Sequence, residues 1–496
     1  MNTIYSIFVI GLLLICSNFI SNIESCNYRS KGSLHFPSNF SFGVSTSAYQ
    51  IEGGWNADGK GVSIWDDFTH NNPDLVRDGS DGDVAINSYN RFDDDLDILD
   101  DLKVGHYRFS ISWTRIFPDG ETKHRNQAGI DYYNQVIDKL LAKGIKPLVT
   151  LFHFDLPLEI QKKGGFISSL SIEYFVQYAA EMFKLFGDRV KDWITFNEPW
   201  FMCKRAYGDG VYPPLINASG VADYLCIDSI LKAHGATYRV YKSHFKHQNG
   251  QVGISLNSPY FIIGDSSDKD ILERAMQFNM GYLAHPIFSK AGGYPEIMVK
   301  DIGRNSLEEG RIMSRLPSLE GEWKDIIRGS ADFLGLNYYS SAHIRRASQP
   351  QGKNPSFERD ANYESYSKFK TTGQSCDPAG LEGLLKWISK EYNNVPVLIT
   401  ENGYRDMGEL EDNNRQSFLK THLQAALNAA NDGCNVIGYT HWSLVDNFEW
   451  LFGYTLKYGL YSVNMTSPTK DRVAKNSAKY YKKVISSRIL QMEYIM

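Results

Sequence analysis

The chain has 496 residues, of which 42% are hydrophobic and 22% charged, a balance typical of a globular protein rather than a disordered or fibrous one. Its net charge of -5 and pI near 6.2 argue against nucleic acid as the main partner, because nucleic-acid binding needs a basic surface. Aromatic residues reach 13%, and aromatic rings suit flat, partly apolar ligands such as sugars.

An apolar run from residue 4 to residue 15 (IYSIFVIGLLLI) opens the chain, and small polar residues follow it. The run is shorter than the ~20 residues that a membrane-spanning helix needs. We therefore expect a signal peptide over residues 1–25, cleaved between Ser17 and Ser25, with a retained anchor or a buried helix as the alternatives. One large domain over residues 26–496 would follow, secreted and with no membrane partner in its mature form.

Five cysteines follow the predicted leader, too few for a disulfide scaffold in a chain of this size. They are Cys26, Cys203, Cys226, Cys376 and Cys434. At least one must be unpaired, and their spacing does not fix the pairing. Neither a C-x-x-C motif nor a His/Cys cluster suggests a metal site. The sequons at Asn39, Asn217 and Asn464 would accept glycans in a secreted protein.

Eight β-rich runs recur along the chain, each followed by helical periodicity or a long loop. They cover residues 40–46, 106–111, 146–152, 192–196, 251–257, 332–339, 395–400 and 436–442. Several are nearly continuous apolar runs, as expected of parallel strands buried on both faces. Eight such alternations predict an α/β fold, a single (β/α)8 TIM barrel with long loops at the C-terminal face.

Two of the predicted strands end in a carboxylate, at the barrel face where active sites lie. The fourth ends in T-F-N-E-P, which contains Glu198, and the seventh in I-T-E-N-G, which contains Glu401. Glycosidic cleavage requires one carboxylic acid to protonate the departing oxygen and a second carboxylate to attack the anomeric carbon or activate water. A lone strand-end glutamate is more often a helix cap or a salt-bridge partner, but two around one cavity favour chemistry.

At these motifs the chain resembles glycoside hydrolase family 1, the β-glucosidase and myrosinase-like family. The similarity runs from about Phe36 to Ile485 and includes F-S-F-G-V-S-T-S-A-Y-Q-I-E-G, Y-R-F-S-I-S-W, L-G-L-N-Y-Y and D-N-F-E-W besides the two glutamate motifs. The resemblance implies a retaining β-glycosidase that hydrolyses β-glucosides by double displacement through a covalent glycosyl-enzyme. Glu198 would be the acid/base and Glu401 the nucleophile, with carboxyl groups ~5–5.5 Å apart. No cofactor is implied, because carboxylates and water suffice.

The resemblance also implies the residues around the two carboxyls. Arg108 and Tyr339 would lie against Glu401, where a cation and a phenol donor favour the ionised carboxylate. Burial and the charge of Glu401 would keep Glu198 protonated until glycosylation removes that charge. Asn337 would order the region around the nucleophile, and Trp442 would be a platform under the sugar ring. The remaining implied substrate-binding residues are Gln50, His153, Asn197, Glu449 and Trp450.

Three departures from the family pattern concern the leaving group. Phe154 stands where Trp is usual, residues 373–377 lack the usual aglycone-facing Trp, and Lys204 follows Glu198 by six residues where an apolar residue is common. Together they suggest an anionic leaving group, with Lys204, Gln374 and Arg345 as candidate aglycone contacts. A solvated or salt-bridged lysine is the simpler reading of Lys204.

Thioglucosidase (myrosinase-type) activity on glucosinolates is therefore an alternative to ordinary β-glucosidase activity. Plant thioglucosidases lack the acid/base glutamate, whereas this chain keeps Glu198 and could act on both bond types. A non-catalytic sugar-binding module is a third hypothesis, but it would predict replacement of Glu198 or Glu401. Transglycosylation would use the same residues as hydrolysis. The preferred sugar and the oligomeric state do not follow from the sequence.

Overall fold

The computed structural model of the chain describes residues 28–264, 268–348, 354–366, 374 and 376–490. The proposed leader, residues 1–25, lies outside these ranges, so the signal peptide stays a prediction. Within the ranges, no helix combines the length and the apolar character that crossing a lipid bilayer requires.

Eight parallel strands close into a barrel, each hydrogen-bonded to its neighbours in chain order, with the first paired to the eighth. They are Ser41–Ser45, His106–Ser110, Lys146–Phe152, Asp192–Asn197, Gln251–Asn257, Leu334–Asn337, Val397–Asn402 and Val436–Trp442. The predicted (β/α)8 barrel is thus confirmed. Every described residue of the seventh strand is buried, as its apolar sequence predicts.

Helices surround the barrel and fill its loops. The α-helices are Ala48–Ile51, Ile64–Asn71, Ser88–Leu102, Trp113–Ile116, Gln127–Ala142, Leu158–Lys162, Leu170–Phe186, Pro199–Cys203, Ala222–Val240, Lys269–Met276, Tyr282–Phe288, Glu296–Glu308, Glu322–Ile327, Phe357–Ala361, Pro378–Glu391, Asn413–Asn431 and Asn476–Ser487. Their apolar stripes face inward: in Gln127–Ala142, for example, Ile130, Ile137 and Leu140 are buried. Each such side chain contributes ~1.5–3 kcal/mol on burial.

Two small sheets lie outside the barrel. Strand Ser341–Arg346 pairs in parallel with Tyr260–Ile263 and antiparallel with Tyr363–Tyr366. Strand Tyr461–Val463 pairs antiparallel with Arg472–Ala474. The strands of the first of these sheets follow the fifth and the sixth barrel strands, so this sheet is built from loops at the C-terminal face.

One disulfide lies beside the fourth strand. Cys203 and Cys226 are joined, which links the helix that follows Glu198 to the long helix Ala222–Val240. Cys376 is also disulfide-bonded, whereas Cys434 is a free thiol, which confirms that at least one cysteine is unpaired. The three sequon asparagines are all exposed.

Candidate active site

Glu198 follows the last residue of the fourth strand and takes a left-handed conformation, with φ 44° and ψ 56°. Pro199 then begins the helix Pro199–Cys203, so the chain turns sharply at Glu198. The backbone N–H of Glu198 donates to the Ser255 carbonyl at 2.9 Å. Its buried carboxyl accepts from Asn337 Nδ2 at 2.8 Å. This strained turn directs the side chain into the top of the barrel.

Glu401 lies within the seventh strand and is buried. Arg108 Nη1 contacts one carboxylate oxygen at 2.5 Å, and the Tyr339 hydroxyl donates to the other at 2.6 Å. Both donors bind the ionised carboxylate, and charge-assisted bonds of this kind are about twice as strong as neutral ones. The arrangement holds Glu401 as an oriented anion.

Arg108 connects four strands of the barrel through a fully buried guanidinium. Besides Glu401, it donates to Thr150 Oγ1 at 3.1 Å, to the Thr400 carbonyl at 3.1 Å and to Asn197 Oδ1 at 2.6 Å. Because the guanidinium is planar and its donors point in fixed directions, these bonds determine where Glu401 sits relative to the fourth strand.

The two carboxyls have different electrostatic surroundings. Burial, and after it the charge of Glu401, raises the pKa of Glu198 to about 8, although the Asn337 hydrogen bond and Arg108 oppose the rise. Burial and the charge of Glu401 hold the pKa of Tyr339 well above its usual value, so its hydroxyl stays a donor. Near neutral pH, Glu198 is therefore protonated beside an anion.

Asn337 lies between the two glutamates. Its Nδ2 donates to Asn197 Oδ1 at 3.0 Å as well as to Glu198, and its Oδ1 accepts from Thr400 Oγ1 at 2.7 Å. Thr400 precedes Glu401, the predicted nucleophile, which agrees with the expected ordering role, but the direct carboxyl contact of Asn337 is to Glu198. One amide thus positions the acid relative to the seventh strand.

His153, at the end of the third strand, is neutral, because burial and the charge of Arg108 hold its pKa well below the usual value. Its Nε2 lies 3.1 Å from Asn197 Nδ2. An amide nitrogen only donates, so Nε2 accepts and the ring proton is on Nδ1. Nδ1 is buried with no hydrogen-bond partner among the described residues. Its ring lies nearly parallel to Trp442, 5.8 Å away.

Glu449 lies close to Trp442, and the Trp442 indole opposes the rise in the pKa of the Glu449 carboxyl. Burial raises the pKa of Glu449 well above its usual value, and within the described part of the chain its Oε1 has no hydrogen-bond partner. Gln50 Nε2 donates to Asn447 Oδ1 at 3.0 Å and to the Phe448 carbonyl at 2.7 Å. Gln50 therefore supports the segment that presents Glu449.

Phe154 is buried against Trp450 and Phe201, with ring centroids 5.1 and 6.2 Å away. Its φ of 79° is unusual for a bulky residue and reflects the bend after the third strand. Where the family pattern has an indole N–H, this wall of the site offers only a hydrocarbon ring. Trp450 also packs on Trp65 at 4.7 Å, which fixes its position.

The three candidate aglycone residues all have partners. Lys204 Nζ lies 2.7 Å from Asp209 and 2.6 Å from Glu358, and Arg345 is paired with Glu364 at 2.5 Å. Gln374 bonds to main chain alone: its Nε2 donates to the carbonyls of Tyr339 and Gly403, both at 2.8 Å. Contact with a leaving group stays a prediction for all three.

Sequence reasoning missed the residues that support the site. Thr150 accepts a hydrogen bond from Arg108, and Thr400 donates one to Asn337. The position of Thr400 immediately before Glu401 is the one sequence feature that could have indicated its role. Tyr458 packs edge-on against Tyr339 with ring centroids 5.9 Å apart. Burial, and after it the charges of Glu449 and Glu198, raises the pKa of Tyr458. No sequence pattern indicated Tyr458.

The chain is similar to known glycosidases over most of its length. The family model of glycosyl hydrolase family 1 matches residues 33–489. Myrosinase 1 of the aphid Brevicoryne brassicae is 44% identical over 91% of this chain and 98% of its own. The solved structure of aphid myrosinase superposes with a TM-score of 0.87 at 43% identity, covering 91% of this chain and 99% of that one. A rice β-glucosidase mutant in a covalent complex with glucose gives 0.84 at 35% identity, over 90% and 98%. The chain belongs to glycosyl hydrolase family 1 and is a glycoside hydrolase.

Proposed function

We propose that this chain hydrolyses β-glucosides with retention of anomeric configuration, through a covalent glycosyl-enzyme on Glu401. The observation that carries the proposal is the contrast between the two carboxyls. Glu401 accepts charge-assisted bonds from Arg108 and Tyr339, whereas the pKa of Glu198 is raised to about 8. At neutral pH one is a nucleophile and the other a proton donor, which double displacement requires.

In the first step an oxygen of Glu401 bonds to the anomeric carbon while Glu198 gives its proton to the glycosidic oxygen, and the bond to the aglycone breaks. The resulting ester is uncharged, so the negative charge that favoured protonated Glu198 is gone. Ionised Glu198 then takes a proton from water as the water oxygen attacks the anomeric carbon and Glu401 leaves. The covalent glucose complex of the rice relative supports this sequence.

The sugar would lie among the buried polar atoms beside Trp442. His153 Nδ1–H is a donor and Glu449 Oε1 an acceptor, and neither has a partner among the described residues. Sugar hydroxyls can satisfy both groups, and unsatisfied buried polar atoms otherwise cost ~1–3 kcal/mol each. The indole face of Trp442 would pack on the apolar face of the ring.

Rescue by azide tests the roles of the two acids. With 2,4-dinitrophenyl β-glucoside, whose leaving group needs little protonation, Glu401→Ala should yield α-glucosyl azide and Glu198→Ala should yield β-glucosyl azide. On an aryl glucoside with a poor leaving group, Glu198→Ala should lower kcat by about 10²–10⁴-fold. Glu382→Gln, a buried glutamate paired with Lys31 and Lys386, is the control and should yield no glucosyl azide. The same azide anomer from both alanine variants would refute the assignment.

Thioglucosidase activity is a second candidate, favoured by the 44% identity to Myrosinase 1. A thiolate-type leaving group needs less protonation than an alkoxide, so cleavage of a thioglucoside does not depend on a general acid. The presence of Glu198 is therefore no argument against this activity. The two activities separate in Glu198→Gln, which should lose more activity on an alkyl glucoside than on the glucosinolate sinigrin. Equal losses on both substrates would argue against the thioglucosidase reading.

We also propose that the protein is made in the secretory pathway. The disulfide Cys203–Cys226 supports this, because disulfides persist in oxidising compartments. The exposure of Asn39, Asn217 and Asn464 is compatible with glycosylation. Expression in insect cells should release protein into the medium whose mobility increases after treatment with an endoglycosidase. Protein retained in the cytosol with unmodified asparagines would contradict the proposal.

A further inference from the structure

The helix Glu296–Glu308 buries one face against the protein and exposes the other. Val299 and Leu307 lie on the exposed face, with 51% and 66% of their surface accessible, and Gly303 lies between them. Residues spaced four apart share one side of an α-helix, so the three form a single row. Nothing in the described structure lies within 4 Å of the position that a Cβ would take at Gly303. The row therefore consists of two apolar side chains separated by an open notch.

The loop after this helix adds two further exposed apolar side chains. Ile312 and Met313 are 95% and 75% exposed. Gly310 takes a φ of 79°, and the N–H of Arg311 donates back to the Ser306 carbonyl at 3.0 Å, so the loop is attached to the last turn of the helix. Exposed apolar surface held in this way marks an interaction site more often than surface without function.

The charges on this face are complementary to themselves. Glu296 and Lys300 lie toward the beginning of the helix, Glu308 is its last residue and Arg311 follows it, and all four are exposed. If two copies of the helix pack antiparallel about a two-fold axis near Gly303, each residue faces the residue of the second copy that lies about as far beyond the axis. Glu296 then faces Arg311 of the second copy, and Lys300 faces Glu308. Each contact joins opposite charges and occurs twice.

These charged groups are available for contacts between two molecules. Neither Glu296 nor Lys300 has an ion pair or a hydrogen bond to any residue that the structure describes. Glu308 and Arg311 each lie near one oppositely charged residue of their own chain, at 3.2 and 3.0 Å, but their side chains are 56% and 44% exposed. Such exposed pairs contribute little to stability, so they can rearrange when a second copy binds.

We propose that this face joins two copies of the chain in a two-fold symmetric dimer, with the helices Glu296–Glu308 antiparallel. The missing side chain at Gly303 lets the helices approach closely, and Leu307 of each copy packs into the notch of the other. Ile312 and Met313 then cover the beginning of the opposite helix. A helix of 13 residues is only ~20 Å long, so the interface is small and the dimer should dissociate on dilution.

Analytical ultracentrifugation over a series of protein concentrations tests the dimer, and the parent should change from monomer to dimer as its concentration rises. Lys300→Glu sets carboxylates against each other at both symmetric contacts, and Glu308→Lys does the same with ammonium groups. Each variant alone should therefore weaken the dimer by about 10-fold or more. An equimolar mixture of the two should form dimers again, because every contact then joins opposite charges. Lys390→Glu, which changes an exposed lysine of another helix, is the matched control and should dimerise like the parent.

Leu307→Asp should also prevent dimerisation, and hydrolysis of an aryl glucoside by each variant shows that it is folded. The same hydrolysis separates this inference from the proposed β-glycosidase function, which does not depend on the dimer. A parent that stays monomeric at every concentration would overturn the proposal, and so would a dimer that Lys300→Glu and Leu307→Asp both leave intact. A monomeric parent that binds phosphatidylcholine vesicles, and loses this binding in Leu307→Asp, would overturn the dimer and assign the face to a lipid surface.

Discussion

The buried cation Lys475 contacts the loop that carries Glu449 and Trp450, two residues of the proposed sugar site. Its side chain is 0% exposed, and its ammonium lies 2.9 Å from Asp446 Oδ1. The same oxygen accepts the Gly459 N–H at 2.9 Å. Asp446 precedes Glu449 by three residues, so this ion pair ties the start of the C-terminal helix to the segment that presents Glu449 and Trp450.

Lys475→Met would remove the charge while retaining most of the side-chain volume. The variant leaves the Asp446 carboxylate buried without its counter-ion, which typically costs ~3–5 kcal/mol. An unfolding entropy of ~2.1 cal/mol/K per residue gives roughly 1 kcal/mol/K for a chain of 496 residues, so the Tm should fall by about 3–5 °C. KM for an aryl glucoside should rise more than kcat falls, because Glu449 is displaced while Glu198 and Glu401 keep their own supports.

Calorimetry at one scan rate and steady-state kinetics measure both effects. The double variant Lys475→Met with Asp446→Asn removes both charges and should recover more than half of the loss in Tm, because no uncompensated charge remains. Lys479→Met, which changes an exposed lysine one turn later, is the matched control and should leave Tm within 1 °C, as surface substitutions usually do. A double variant at least as destabilised as Lys475→Met would refute the reasoning.

Three further predictions concern the proton of Glu198, the hydrogen bond from Tyr339 and the disulfide. The kcat/KM for a neutral aryl glucoside should fall as pH rises through about 8, because Glu198 loses its proton at its raised pKa. A fall centred near ~4.3, the ordinary pKa of a glutamate, would contradict that assignment. Tyr339→Phe should lower kcat by about 10- to 150-fold, from the ~1.5–3 kcal/mol of a hydrogen bond to a charged group, whereas an unchanged kcat would mean that Arg108 alone orients Glu401. Replacing Cys203 and Cys226 by Ser should lower the free energy of unfolding by about 3 kcal/mol, from the entropy of a loop of 23 residues, as measured by denaturant unfolding; equal stability with and without the bond would refute it.

The barrel could be predicted because its strands are buried on both faces. Lys146–Phe152, Gln251–Asn257 and Val436–Trp442 have the bounds that the apolar runs predict. The sixth strand is shorter than predicted, Leu334–Asn337, although Tyr338 still donates its N–H to the Glu401 carbonyl of the seventh strand. The seventh begins at Val397, later than predicted, immediately after Pro396, which has no N–H to donate.

The pairing of charges could not be predicted, because it depends on residues far apart in the chain. Lys204 is neutralised partly by Glu358, which is brought to it by the loops beyond the sixth strand. The two carbonyls that Gln374 binds likewise come from loops that meet only in the folded protein. Motifs at strand ends indicated the proposed reacting groups, whereas several charges and polar groups around them are paired through contacts between loops.

The hydrogen bonds of Arg108 both position Glu401 and connect strands of the barrel, so the geometry of the active site depends on the barrel staying closed. Arg108 lies on the second strand and bonds to the third, fourth and seventh, so separation of any two of these strands would move Glu401, the proposed nucleophile, out of position. On heating, we therefore expect hydrolysis to be lost when these barrel strands first separate, before the surrounding helices unfold. Loss of activity should then detect the opening of the barrel earlier than circular dichroism or light scattering does.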